Sequence, residues 1–179
     1  MGALTGTIVG FSIQGLPVFI HLPLAILAGI LGGAVWGLIP GLLKATTGAH
    51  EVINTIMMNY IAVKTVDFLV KNPLKDPTAS LDRTPFVAES ARYPLLIPEF
   101  GLHAGLLIAA AAIVFTWWFL FKTTWGFEIR TVGANPGAAR YAGMSVPRNF
   151  VLARALSGGL AGLAGIDVVL GRPSEYALK

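Results

Sequence analysis

The sequence has 179 residues, 55% of them hydrophobic and 12% charged, with a mean hydropathy of +0.71 and a net charge of +4. An average soluble domain carries about twice that share of charge, so a water-soluble globule is excluded; with no cysteine, disulfides and thiolate metal sites are excluded too. The basic residues lie in short segments between long apolar runs, not in one stripe interleaved with aromatics. That excludes nucleic acid as a partner and fits loop charges that orient a membrane protein.

A transmembrane helix takes roughly 20 mostly apolar residues. Five stretches are candidates: residues 2–16, short enough to be a clipped span, then 22–43, 51–70, 102–121 and 150–170. Met1 leads into the first with no basic region, which argues against a signal peptide. The second carries Gly29, Gly33, Gly37 and Gly41, and the last carries Gly158, Gly162 and Gly165 with Ala161. Small residues every four positions form grooves for close helix packing. In the third, Glu51, Asn54, Thr55, Met58 and Asn59 fall on one side at about 100° per residue. A carboxylate, two amides and a hydroxyl are costly facing lipid. They line a translocation path or gate, or they serve as polar glue between helices. Lys64, Asp67 and Lys71 occupy a different face and are expected to snorkel or pair locally.

Residues 72–101 contain Pro73, Pro77, Pro85, Pro94 and Pro98, so they cannot form one continuous helix and are expected to make an ordered, irregular cap. From 122 to 154 five basic residues accompany one acid, whereas from 71 to 103 four basics accompany four acids. The denser positive charge predicts that the 123–149 loop and the short 44–50 turn are cytoplasmic and the 72–101 loop external. Trp117, Trp118 and Trp125 then belong at the inner interface, where indole rings settle.

The 126–147 segment carries the marks of a short capped helix in its middle. Asn135 is a good N-cap, Pro136 suits the first helical position and Gly143 suits the C-terminal cap. Between them lie small residues with Arg140 and Tyr141, residue types common at interface hot spots. An ordinary interhelical turn rarely has both caps, so a compact docking knob on the inner face is expected. No phosphate-binding GxxxxGK[ST] loop, HExxH pair or GxSxG elbow is present. The three histidines stand at span ends, far apart in sequence. A membrane-embedded enzyme would need a convergent cluster, and none is visible; neither a metal nor a cofactor is expected.

Four segments in order, GAHEVINTIMMNYIA (48–62), NPLKDP (72–77), GFEIRTVGANPGAARYAGMSV (126–146) and LSGGLAGLAG (156–165), together resemble the inner-membrane permease subunits of bacterial ABC importers. The similarity is to the branched-chain amino acid/simple sugar permease superfamily, and within it to the nucleoside/simple-sugar permeases that work with a basic-membrane-lipoprotein-type binding protein. The resemblance implies that Arg130, Gly133, Asn135, Ala138, Ala139, Arg140, Tyr141 and Gly143 contact the ATPase subunit. It also sets the region beginning at Glu51, Asn54 and Thr55 near the translocation path. It implies a second permease subunit, like or unlike, two ATPases, an extracytoplasmic substrate-binding lipoprotein and the bilayer as partners.

The expected fold is therefore all-α: a polytopic transmembrane helical bundle with about five spans and a short cytoplasmic coupling helix. Superfamily members are longer, so residues 1–179 are expected to be one permease domain incomplete at both ends. The expected function is import of a nucleoside or simple sugar across the bacterial cytoplasmic membrane, powered by a partner's ATP hydrolysis. The alternative is a secondary transporter or channel that needs no ATPase. Such a protein should hold ionisable groups near mid-membrane, whereas Glu51 and Asp167 stand near span ends.

Overall fold

The computed structural model describes residues 1–13, 15, 17–48, 50–76, 83–97 and 102–171. Its elements are α1 (Gly2–Ser12), α2 (Val18–Thr47), α3 (Glu51–Lys71), a 3₁₀ turn (Glu89–Ala91), β1 (Leu95–Ile97), β2 (Leu102–His103), α4 (Gly105–Lys122), α5 (Thr124–Ala134), α6 (Pro136–Tyr141) and α7 (Val146–Gly171). The strands form a small antiparallel ribbon; everything else regular is helical.

The centre of the fold is an antiparallel seam between α2 and α7, built by the two glycine sets. A Cβ on Gly37 would lie 2.6 Å from the Arg154 carbonyl oxygen, one on Gly33 2.8 Å from the Gly162 Cα, and one on Gly158 3.0 Å from the Gly37 Cα. Backbone therefore rests on backbone, the close approach that small residues permit. α1 lies in the groove beside this seam. Thr5 donates its hydroxyl to the Ala28 carbonyl across the interface (2.8 Å). Ile166, fully buried, fills the gap between Gly6, Ala25 and Gly29. The interhelical reading of both glycine sets is the one the geometry bears out.

α2 runs through Pro23 and Pro40 and ends at Gly48, whose φ of +66° lets its N–H donate a hydrogen bond to the Lys44 carbonyl and close the helix. A left-handed residue there suits glycine. Of the cap segment, Pro77 and Pro98 lie outside the described residues. Its described part around 83–97 folds onto one end of the bundle: Ala88 N–H bonds the Gly10 carbonyl (3.0 Å) and Tyr93 N–H bonds the Leu170 carbonyl (3.1 Å). Val87, Ala91 and Tyr93 are buried there. His21, also fully buried, joins Ser90 Oγ (2.7 Å) to the Val9 carbonyl (3.3 Å) through its two ring nitrogens.

Three helices, α2, α4 and α7, are long and apolar enough to cross a membrane among the described residues, fewer than the five expected. α1 has 11 residues, about 16 Å at 1.5 Å per residue, against a hydrocarbon core of about 30 Å. α3 has 21 residues, long enough, but Glu51, Asn54, Asn59, Lys64, Asp67 and Lys71 dilute its apolar character. The chain itself buries only 6% of the apolar stretch of α4 and 22% of those of α2 and α7. Most of their surface is thus left to lipid or to other helices.

The stretch after α4, expected to be loop outside its short helix, instead begins with α5. Thr123 caps it, its Oγ1 accepting from Gly126 N–H at 3.1 Å. Gly126 lets α5 turn tightly onto α4, since a Cβ there would lie 2.6 Å from the Leu120 Cα. Gly48 and the α5–α6 segment stand at one end of the α2–α7 pair, and residues 83–97 and 102–104 stand at the other.

Candidate functional site

α6 is a two-turn helix defined by its ends. Asn135 Oδ1 accepts from Ala138 N–H (3.1 Å) and Pro136 takes the first position. At the far end Gly143 N–H bonds the Arg140 carbonyl and Met144 N–H bonds the Ala139 carbonyl, both at 3.0 Å, with Gly143 at φ +80°. This double bond pattern is a Schellman closure. The short helix expected from Asn135, Pro136 and Gly143 is present at Pro136–Tyr141.

Its base is firm. Val132 of α5, Ala139 of α6 and Val146 of α7 form a small buried cluster with Met144 and Phe150 packed against it. Asn149, only 2% exposed, donates its amide to Glu128 Oε2 (3.0 Å) and to the Ser145 carbonyl (2.9 Å), tying α7 to α5. Arg148 lies 5.7 Å from the Trp125 ring centroid. α5, α6 and the start of α7 thus form one corner, and α6 is its tip.

The tip sorts the expected contact residues into two groups. Gly133, Asn135, Ala138, Arg140, Tyr141 and Gly143 are exposed, Tyr141 to 98%. Ala139 faces inward, fully buried in the hydrophobic cluster. Arg130 is exposed but belongs to the α4 side, its guanidinium 4.7 Å from the Phe121 ring centroid. Trp117, Trp118 and Trp125 are each about half exposed near this end, and Lys122 stands 5.8 Å from the Trp117 ring centroid. Paired cations and indoles of this kind suit a membrane–water boundary.

On α3, Asn54, Thr55 and Met58 are partly buried while Glu51 and Asn59 are exposed. Thr55 turns its hydroxyl back to the Glu51 carbonyl (2.9 Å). Glu51 forms an ion pair with Arg154 of α7. That partner was missed in the sequence because nothing local links the two positions. A cleft of about 710 Å³ opens elsewhere, between α2, α4 and α7, walled by Ile30, Phe115, Phe119, Leu156 and Leu160 among others. It is almost wholly apolar and no α3 residue lines it, so the polar face of α3 and the cleft are separate features.

A second polar group sits at the opposite end. Tyr93 stacks on His103 with centroids 5.6 Å apart and planes at 4°. Gly105 N–H donates to His103 Nδ1 (3.2 Å). Tyr93 is buried near Asp167; burial first, then the carboxylate, pushes its phenol above the ordinary value. This cluster closes the cap over the end of α7.

Residues 1–176 match the family model described as branched-chain amino acid transport system / permease component. The chain belongs to that permease family. The permease is 45% identical to the guanosine ABC transporter permease protein NupP of Bacillus subtilis, over 96% of this chain and 49% of that protein. It is 39% identical to the nucleoside ABC transporter permease protein NupB of Lactococcus lactis, over 87% of this chain and 45% of that one. The glucose ABC transporter permease protein TsgB13 of Haloferax volcanii is 34% identical, over 98% and 49%. The permease thus spans about half the length of the curated relatives it matches. No solved structure matches it. Family membership and the apolar helices make it an integral membrane protein.

Proposed function

We propose that this chain is the central part of a multi-pass permease subunit of an ABC importer in the bacterial cytoplasmic membrane, moving a nucleoside or a simple sugar inward, and that α6 is where the ATPase docks. The observation that carries the docking assignment is the doubly capped α6, held on a buried base and presenting Tyr141 fully to solvent. An exposed tyrosine on a preorganised element loses little entropy on binding, and tyrosine and arginine are common interface anchors. The basic corner at residues 122–154 would face the cytoplasm and the 72–101 loop the outside, where a substrate-binding lipoprotein would approach. Glu51, Asn54, Thr55, Met58 and Asn59 would border the translocation path, closed on its other side by a second permease subunit. ATP hydrolysis belongs to the partner; this chain does no chemistry of its own. The solute class follows from the names of the guanosine, nucleoside and glucose relatives.

The test is co-purification with the cognate ATPase from membranes. Arg140→Glu together with Tyr141→Ala should weaken retention by about 30-fold or more, the loss of a hot spot worth about 2 kcal/mol. Both side chains are exposed, so the fold should survive. Undiminished retention would refute the assignment.

A further inference from the structure

α3 is loosely held. Only Val70, in its last turn, is buried, and its backbone makes little contact with the rest of the chain. Near its start it is gripped by one polar contact, the Glu51–Arg154 ion pair. The packing makes room for this pair. A Cβ on Gly41 would lie 3.0 Å from Arg154 Cβ and 3.3 Å from Cγ, so the missing side chain lets the arginine stem cross the face of α2. Arg154 belongs to a 26-residue helix whose beginning is fixed to α5 and α6 by Asn149–Glu128 and by Val146 against Ala139. A contiguous set of groups therefore runs from α6 through the first turns of α7 to Arg154, to Glu51, and so to α3.

We infer that the Glu51–Arg154 pair is the tie through which a displacement of α6 is delivered to the polar helix α3, so that both act as positioning residues for transport. This rests on the reading of α6 as the ATPase dock. A helix moves as a rod, and a rod transmits motion only to what it grips. α7 grips α2 along the glycine seam, and it reaches the start of α3 through this carboxylate. Arginine fits the task because its planar fork holds a carboxylate in a fixed direction, and because it cannot be neutralised by deprotonation.

The chain lacks cysteine, so a thiol placed in it is its own single label, with the same complex lacking that thiol as the background control. In the permease–ATPase complex, the maleimide-labelling rate at Asn59→Cys should differ between the nucleotide-free and ATP-bound states. Arg154→Gln should cut that difference by about tenfold, the size of a typical coupling between sites, with ATPase retention and hydrolysis kept. Arg154→Lys should preserve much of it. Arg154→Gln is the sharper variant because it leaves Glu51 at the helix N-terminus, where a negative charge is independently favoured. An unchanged difference in Arg154→Gln overturns the tie, as does the absence of any difference in the otherwise unaltered chain. Separately, Glu51→Cys with Arg154→Cys should be joined by a short bis-maleimide, which replaces the two lost side-chain lengths that a direct disulfide would not span. Cyanogen bromide cuts after Met57, Met58 and Met144, so the two positions stay joined only if bridged; no bridge overturns the contact. If the unaltered chain binds no ATPase, the docking reading fails instead, and that control separates the two.

Discussion

At Asn135 one side-chain amide decides where α6 begins, because Oδ1 occupies the Ala138 N–H that the first turn would otherwise leave unpaired. Asn135→Ala should cost about 1 kcal/mol of local helix stability. Hydrogen exchange should show faster exchange confined to the amides of 137–144, with the α2–α7 seam unaffected; spread into the seam would mean α6 is not an independent tip. Asn135, Pro136 and Gly143 are legible in sequence because caps act over three or four residues. The inward turn of Ala139 is not, since it depends on Val132 and Val146 arriving from two other helices. The same holds for Glu51: its polarity marks the helix face, but its partner Arg154 comes from the far end of the chain.

Among the elements, the α2–α7 seam is the part most sensitive to volume. Gly158→Leu would drive a side chain into the Gly33 and Gly37 backbone, where no rotamer change can relieve it. Overpacking of this kind costs about 1–3 kcal/mol and more where backbone must move. Gly133→Ala meets open space within 4 Å and should be neutral to slightly stabilising, since alanine is the better helix former. Thermal unfolding in detergent should separate the two; equal midpoints would remove the seam from the centre of the fold. The glycine spacing made this interface readable. α5 was hidden because Gly126 and Gly133 look like loop residues, whereas Gly126 is a contact glycine against α4 and Thr123 is the cap. α3 shows the opposite: a helix of spanning length whose apolar character is diluted by its polar load.

For the whole molecule the testable matter is sidedness. Glu89 and Ser145 are both exposed and stand at opposite ends of the α2–α7 pair. In intact cells a membrane-impermeant maleimide should label Glu89→Cys at once and Ser145→Cys only after permeabilisation. The reverse pattern would invert the orientation and with it the dock at α6. Composition, the spacing of apolar residues and the short-range caps were enough to establish a helical membrane protein with a short capped helix; that it is a permease rests on the motifs it shares with that family. These features depend on transfer free energies and on contacts a turn apart, both of which the linear order contains. Only the tertiary structure decided that the two glycine sets close on each other, that α5 and α7 make a firm corner under α6, and that Glu51 is held by Arg154. Each of those depends on which helix faces which across the bundle, a choice made by packing between residues remote in the chain.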